Sequence, residues 1–471
     1  MRAFFCCALF GLVLFFSLGD VVDSLLSKNQ VVELIDGRSV TVLGELGRGG
    51  QGIAYEVRVN GTNEIKVLKW YKPEYLSGNS REFYRNIEEN IAYGSPSAEF
   101  LWPEALTEWK NNSFGYIMKK YPAEYKSFSC YLRGTAKFDN IEAMLNAAIG
   151  IVVAFRRLRV TGCSYQDLND GNFALEPSHG KVLICDNDNV VGEGKKSGIL
   201  GKIGYMAPEL MRRESTVSRG DSIPDKWTDR FSLAVILFML LVGDNPLEGK
   251  KTVGMSVEDA FSRPLFIFDK DDISNRPVPS IHRNAAIYWN MYPTFVQDAF
   301  CKSFSKNSLN FSVYRNERLN ERQWLDVLFW LKSSLIRCPK CGELSFLDSN
   351  STEHPICTFR CGECNYYHSA SFYLRFFGQA ATIINIPGFP GITIYSSVLY
   401  GDSVNVNDKL IKVDYDGEYI RLINESTYNF DIIRQSGRST TVAPGESGFA
   451  YPGARINFYG RRGGNAKIIM V

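Results

Sequence analysis

Val31–Ile35 and Ser39–Leu43 are two runs rich in β-branched and other apolar residues with interspersed polar positions. Asp36-Gly37 lies between the two runs, which predicts a β-hairpin. After Gly52 the pattern alternates through Glu56-Val57-Arg58-Val59, breaks at Asn60-Gly61, and returns in a third strand over Asn63–Lys69. Ser80 to Ala92 reads as a helix capped by Ser80. Tyr116-Ile117-Met118 reads as a buried strand that runs into a connector at Lys119–Tyr121. Met144, Ala147, Ile149, Val152, Phe155 and Leu158 make Ile141–Val160 a long apolar helix that ends at Thr161-Gly162. A short apolar strand follows at Val182-Leu183-Ile184, and a second strongly apolar helix opens at Trp227 and runs through Leu241. From residue 371 to the end the pattern changes to short strand-like runs broken by Gly, Pro and Asn turns. That predicts an all-β sandwich without helices over 371–471.

The 471 residues allow two to four domains. A net charge of +2 gives no bulk electrostatic case for nucleic acid, and 13% aromatic residues suit packed cores better than long disordered tracts. Eleven cysteines are neither dense nor evenly spaced, which excludes a disulfide framework. Four of them form two Cys-x-x-Cys pairs, Cys338/Cys341 and Cys361/Cys364, separated by short strand-like sequence. Four thiolates at this spacing predict a zinc ribbon over 336–370, with a closed tetrahedral Zn²⁺ site of structural purpose.

A second chemical signal is the stretch Ser164–Asn172, in which Asp167 and Asn172 share a loop. The Val182–Ile184 strand then delivers Asp186. Two carboxylates and an amide brought together can hold Mg²⁺ and orient a hydroxyl for phosphoryl transfer. Upstream, Gly47, Gly49 and Gly52 form a glycine loop that joins two strands, a flap over phosphates rather than the start of a helix. Lys66 on the next strand is placed to reach phosphates under that flap. Lys69 falls on the opposite face by the odd spacing of three. Glu82, Glu88 and Glu89 are candidates to pair with the lysine, with Glu82 preferred on spacing.

In this order the motifs resemble the protein kinase superfamily over about residues 30–335: the glycine loop, Lys66, Asp167 with Asn172, Asp186, Ala207-Pro208-Glu209 and Asp229. The resemblance implies an α+β, two-lobed kinase fold that uses ATP. Lys66 would hold the α/β-phosphates, Asp167 would accept the hydroxyl proton, and Asn172 and Asp186 would bind Mg²⁺. Met118 would gate the adenine pocket, and Arg318 would pair with Glu209. Departures are Tyr165-Gln166 ahead of Asp167, where the family carries His-Arg, and Asp186-Asn187-Asp188 for Asp-Phe-Gly. Loss of that arginine argues against control by a phosphorylated loop. Glycine-rich Gly49-Gly50-Gln51-Gly52 and Asp-x-Asp look like a divergent bacterial-type group with C-terminal accessory domains.

Leu422–Asn429 and Gly453–Gly460 look like the second half of a forkhead-associated domain, without its Ser-x-x-His. A degenerate sandwich that docks a protein partner, or the kinase domain itself, is the expectation. Ala3 to Gly19 is an uncharged, mostly apolar run, which reads as a signal- or anchor-like segment 1–19. ATP chemistry and a thiolate metal site favour the cytoplasm, with membrane association through residues 3–19, over secretion. The leading function is a Ser/Thr protein kinase. The alternatives are a nucleotide-binding pseudokinase scaffold and a small-molecule kinase on the same fold.

Overall fold

The computed structural model describes residues 26–76, 80–110, 112–195, 201–211, 224–262, 264–310, 312–349, 357–377, 383–415, 418–460 and 464–470. The apolar segment 1–19 and residues 196–200 of the glycine- and lysine-rich stretch lie outside these. The chain divides into two compact units. One is built from residues up to Ser80 together with Glu104–Met118, the other from Arg81–Pro103 and everything from Lys119 onward. One division falls between Met118 and Lys119, at the start of the connector expected from the sequence.

The first unit is a six-stranded sheet of β1 (Val31–Glu33), β2 (Ser39–Arg48), β3 (Gly52–Val59), β4 (Ile65–Tyr71), β5 (Ala105–Leu106) and β6 (Gly115–Lys119), in the order β1-β2-β3-β4-β6-β5. Its alternation sends Val40, Val42, Ile53, Tyr55, Val57, Leu68, Trp70 and Ile117 into one core. At Gly52 an added Cβ would stand 2.3 Å from the Trp70 carbonyl oxygen, so only glycine lets β3 approach β4 here.

The second unit is mainly helical at first. Helix α1 (Ser80–Tyr93) is followed by α2 (Ile141–Val160), α3 (Lys226–Val242) and α4 (Glu321–Ser333). Asn140 caps α2 by accepting from Ala143 N–H at 2.8 Å, and Asp225 caps α3 in a reciprocal capping box with Thr228. Almost every residue of α3 from Phe231 on is buried, as a helix apolar all round must be. It shares one core with Leu145, Ile149, Val152 and Phe155 of α2 and with Trp324, Leu325 and Leu328 of α4.

Two short hairpins come next, Leu335–Arg337 with Leu344–Phe346 and Cys357–Arg360 with Tyr367–Ser369, each carrying one Cys-x-x-Cys pair at its turn. Beyond them lie two facing sheets. One runs Ile383–Pro387, Phe372–Phe377, Gly464–Met470, Arg455–Phe458, Phe430–Ile433, Ser439–Val442. The other runs Thr393–Tyr395, Lys409–Tyr415, Ile420–Asn424, Ser447–Ala450. The expectation of no helix is corrected by one turn of α-helix, Ser397–Tyr400, which buries Val398 and Leu399 and ends at Gly401. A single turn is too short to show a 3.6-residue period in sequence. Trp330 of α4, Cys338, Cys361 and both sheets contribute to one continuous core.

Candidate functional site

In the first unit the strand register decides which lysine faces the glycine loop. Ala54 pairs with Lys69 and Gly52 with Tyr71, while Val57 pairs with Lys66. Lys66 therefore shares its face with Leu68 and Trp70 and their core. There its ammonium sits 2.7 Å from Glu64 Oε1 and 2.8 Å from Glu104 Oε2. Burial pulls the Lys66 pKa down, but the hydrogen bonds to Glu104 and Glu64 outweigh it and hold the pKa above the ordinary value. Lys69 is on the other face, with Tyr71, whose ring lies 6.2 Å from that of Tyr116; Met118, buried at the end of β6, follows Tyr116 by two. Lys69 Nζ donates to Gln51 Oε1 at 2.9 Å, and Lys72 Nζ donates to Gly49 O at 2.8 Å. The expectation that Lys66 reaches phosphates under the glycine loop is thus corrected. The side chain engaged with that loop is Lys69.

In the second unit α2 delivers the chain to the short strand Cys163–Ser164 and then to the Asp167 loop. Asp229, in the first turn of α3, fixes that loop's backbone: its Oδ2 accepts from Tyr165 N–H at 2.7 Å and its Oδ1 from Gln166 N–H at 3.0 Å. Arg159 at the end of α2 donates to the same carboxylate at 3.0 Å. Gln166 adopts φ +68° and donates its amide to Ser164 Oγ, Lys195 O and Pro224 O. A neutral side chain here ties together two main-chain carbonyls that lie 29 and 58 residues downstream of it in sequence. Buried Tyr165 donates its hydroxyl to Cys185 O.

Amides surround Asp167. Asn169 donates to its Oδ1 at 3.1 Å, Asn189 to its Oδ2 at 3.3 Å and Asn172 to its main-chain oxygen at 2.7 Å. Burial, then the repulsion of Asp186 and Asp188, raises the Asp167 pKa to about 6 against the pull of the Asn169 amide. The hairpin Phe173–Leu175 with Val182–Ile184 pairs Phe173 with Ile184, and Cys185 N–H donates to Asn172 O at 2.8 Å. Asn172 and Asp186 consequently leave the ladder side by side. Asn172 also donates to Tyr165 Oη at 3.2 Å, so its amide nitrogen is fixed and its Oδ1 is left as an oxygen ligand. Asp186, two residues beyond the end of the strand, takes the left-handed conformation, φ +53°. These hard oxygen donors fit Mg²⁺. Asn187, where the resemblance implied an apolar residue, is buried with its amide donated to Leu101 O and Ile184 O, both at 2.9 Å.

The sequence model of the protein kinase domain matches residues 40–320, more than half of the chain. The chain belongs to the protein kinase family. It is 23% identical over 257 residues to the serine/threonine-protein kinase AtPK2/AtPK19 of Arabidopsis thaliana, 54% of this chain and 52% of that protein. It is 22% identical over 232 residues to ribosomal protein S6 kinase beta of Caenorhabditis elegans, 47% of this chain and 40% of that protein. It is 22% identical over 210 residues to the protein kinase C-like 1 of the same nematode, 44% of this chain and 28% of that protein. The matched stretch thus spans about half of these relatives' length, or less.

Other expected residues of the kinase domain are placed as follows. Glu82 lies exposed in the first turn of α1, and Glu89 pairs with Lys195 at 3.1 Å. Arg318 and Glu209 form a bidentate pair at 2.8 and 2.9 Å, with Arg318 also donating to Trp227 O and Ser308 O. Asp170 receives Ser129 Oγ and Lys202 Nζ, each at 2.5 Å, and is structural. Sequence reasoning missed Lys69, Asn169 and Asn189. A two-residue turn at Asn60-Gly61 would set Lys69 opposite Gly52, whereas the observed register sets it opposite Ala54, close to the glycine loop in either case; the two amides gave no signal before the loops were folded.

Beyond the kinase domain, the Sγ atoms of Cys338, Cys341, Cys361 and Cys364 all lie within 4.8 Å of one another. Cys338 to Cys364 measures 3.7 Å and Cys341 to Cys361 3.5 Å. Tetrahedral Zn²⁺ with 2.3 Å bonds needs sulfur atoms about 3.8 Å apart. The cluster fits that ion. Among the described residues no helix is long and apolar enough to cross a membrane.

Proposed function

We propose that this protein is an ATP- and Mg²⁺-dependent kinase that phosphorylates Ser or Thr hydroxyls of proteins. The observation that carries the reading is the Asp167 loop, whose backbone is gripped by Asp229 and whose Asn172 amide is fixed on the Asp167 carbonyl, with Asp186 following on the adjoining strand. Asp167 would orient the acceptor hydroxyl and take its proton; Asn172 and Asp186 would hold the metal. Mg²⁺, when bound, neutralises charge on the phosphates. Lys69, rather than Lys66, would neutralise the α/β-phosphates, with the main chain of Gly47, Gly49 and Gly52 above them and Met118 at the adenine edge.

The four cysteines are read as a zinc ribbon with Zn²⁺ in a structural role. The sandwich is read as a degenerate forkhead-associated-like domain that docks a protein partner. Its support is the pair of antiparallel sheets and the Glu425–Asn429 loop that joins Ile420–Asn424 to Phe430–Ile433. The test of the enzyme reading is ³²P transfer from γ-labelled ATP to a generic protein substrate. Asp167→Asn is expected to lose at least about a hundredfold in rate while retaining Mg-ATP binding. Wild-type protein that binds Mg-ATP and transfers nothing would establish the scaffold reading, which Gln166 and Asn187 favour.

A further inference from the structure

The Asp167 carboxylate is gripped from two separate segments. Asn169, in the same loop, donates to its Oδ1 at 3.1 Å, and Asn189, from the turn after Asp186, donates to its Oδ2 at 3.3 Å. A carboxylate swivels easily about its Cβ–Cγ bond, because that torsion is broad. One donor leaves the swivel open; two donors on opposite oxygens fix the plane. The plane decides which lone pair meets an acceptor hydroxyl, and a general base works only within hydrogen-bond reach of the proton it takes.

The two amides are not equivalent. Asn169 also builds its own turn, since its Oδ1 accepts from Gly171 N–H at 2.9 Å and its amide reaches Asp167 O at 3.2 Å. Asn189 has no such local task. It is 0% exposed, and its Oδ1 has no donor among the described residues. A buried amide bonded at one end destabilises a fold relative to an apolar side chain of the same size. Packing therefore does not call for an amide at this position, whereas the bond to Asp167 does.

The main chain around Asn189 is pinned from outside. Asn90 of α1 donates to Val190 O at 2.8 Å, and Asn86 of α1 donates to Val190 O at 3.0 Å and to Asp188 O at 3.3 Å. On the preceding side, the Asn187 amide is tied to Leu101 O and Ile184 O. Asn189 is thus held by its neighbours on both sides, and its amide is a fixed support for the carboxylate rather than a follower of it.

We propose that Asn189 is a positioning residue for phosphoryl transfer, acting through Asp167 by fixing the plane of the carboxylate that receives the acceptor proton. The inference rests on the reading of Asp167 as the base.

The test uses the full chain and ³²P transfer from γ-labelled ATP to dephosphorylated casein. Asn189→Leu keeps the volume and removes the donor. It is expected to lower kcat about tenfold or more and to leave KM for ATP and for casein within about twofold. In the Asp167→Asn background the same change should cost less than about twofold, because the ionised carboxylate it positions is gone. Melting temperature and Mg-ATP affinity serve as folding controls, and Asn189→Ser, too short to reach Asp167, takes the place of a leucine variant that does not fold. An unchanged kcat, a loss confined to KM, or an equal loss in both backgrounds would overturn the positioning role and leave Asp167 as the base. Wild-type transfer that survives Asp167→Asn, or no wild-type transfer at all, would overturn the base and the positioning role with it.

Discussion

Lys66 and Lys69 show how little sequence separates a lysine paired in the sheet core from one that meets the glycine loop. Both are almost fully buried, three residues apart, yet opposite faces of β4 give them different work. Which of them meets the glycine loop depends on register, and a count from the last glycine alone does not supply it. Lys69→Met is expected to lower phosphate transfer about a hundredfold or more, the scale of removing one preorganised charge-stabilising donor. Lys66→Met should leave transfer within a few-fold. It should instead lower unfolding free energy by about 1–3 kcal/mol, because Glu104 loses its partner. Urea melts alongside ³²P assays distinguish the two. Asp167 yields a different test. Burial and the neighbouring Asp186 and Asp188 raise its folded pKa to about 6, above its ordinary 3.8. The folded protein thus binds this proton more tightly than the unfolded chain. The resulting stability is complete below pH 3.8 and is lost as pH rises through 6. At pH 8 the buried charge costs up to about 3 kcal/mol. In EDTA, Asp167→Asn is therefore expected to melt higher than wild type at pH 8, with the gain fading toward pH 4.

The regular elements were mostly legible because their periods were long or sharply bounded. The hairpin at Asp36-Gly37 follows from its turn between two β-rich runs, and α2 and α3 from long apolar helical runs. The Asp167 loop was legible as a motif, but not the way it is held. Asp229 could have been read as a cap for α3; the structure gives that task to Asp225 and uses Asp229 to grip the loop backbone. Nor does any period announce the helix Ser397–Tyr400, which owes its single turn to Val398 and Leu399 packing on the sheets. Polar pairs of long sequence separation are in the same class, although Glu209 and Arg318 were anticipated from the resemblance. Arg318 is 2% exposed, makes a bidentate pair with Glu209, and lies 5.2 Å from the Phe231 ring centroid. Arg318→Leu leaves Glu209 buried without its counter-charge. A loss of about 3–5 kcal/mol in unfolding free energy is expected, read by denaturant titration, with Glu209→Gln/Arg318→Leu recovering part of it.

At the scale of the molecule, the cysteine cluster is more than an appendage. Cys338 and Cys361 are buried in the same core as Trp330 of α4, Phe372 and Ile468 of one sheet, and Ile411 of the other. Trp330 also stacks on Phe295 at 4.0 Å between centroids, and Tyr292 on Phe346 at 5.6 Å, which joins the first cysteine-bearing hairpin to the helical body. A metal at the four thiols would therefore brace the junction of kinase domain and sandwich, and its loss should travel in both directions from the cluster. Small zinc domains draw about 10–16 kcal/mol from the ion; here the shared apolar core supplies part of the restraint, so partial loosening is expected rather than unfolding of the chain. Titration of the thiols with an organomercurial, followed by a zinc-binding dye, should release one zinc per chain. Cys361→Ser should prevent its retention, and hydrogen exchange should then accelerate in Leu335–Arg337, Phe372–Phe377 and the last turn of α4. Protection in α3, whose core is a separate one, should stay as in wild type. Stoichiometric zinc retained by Cys361→Ser would remove the ion from these thiols. Equal acceleration in α3 would mean that the cluster holds up the whole second unit rather than the junction.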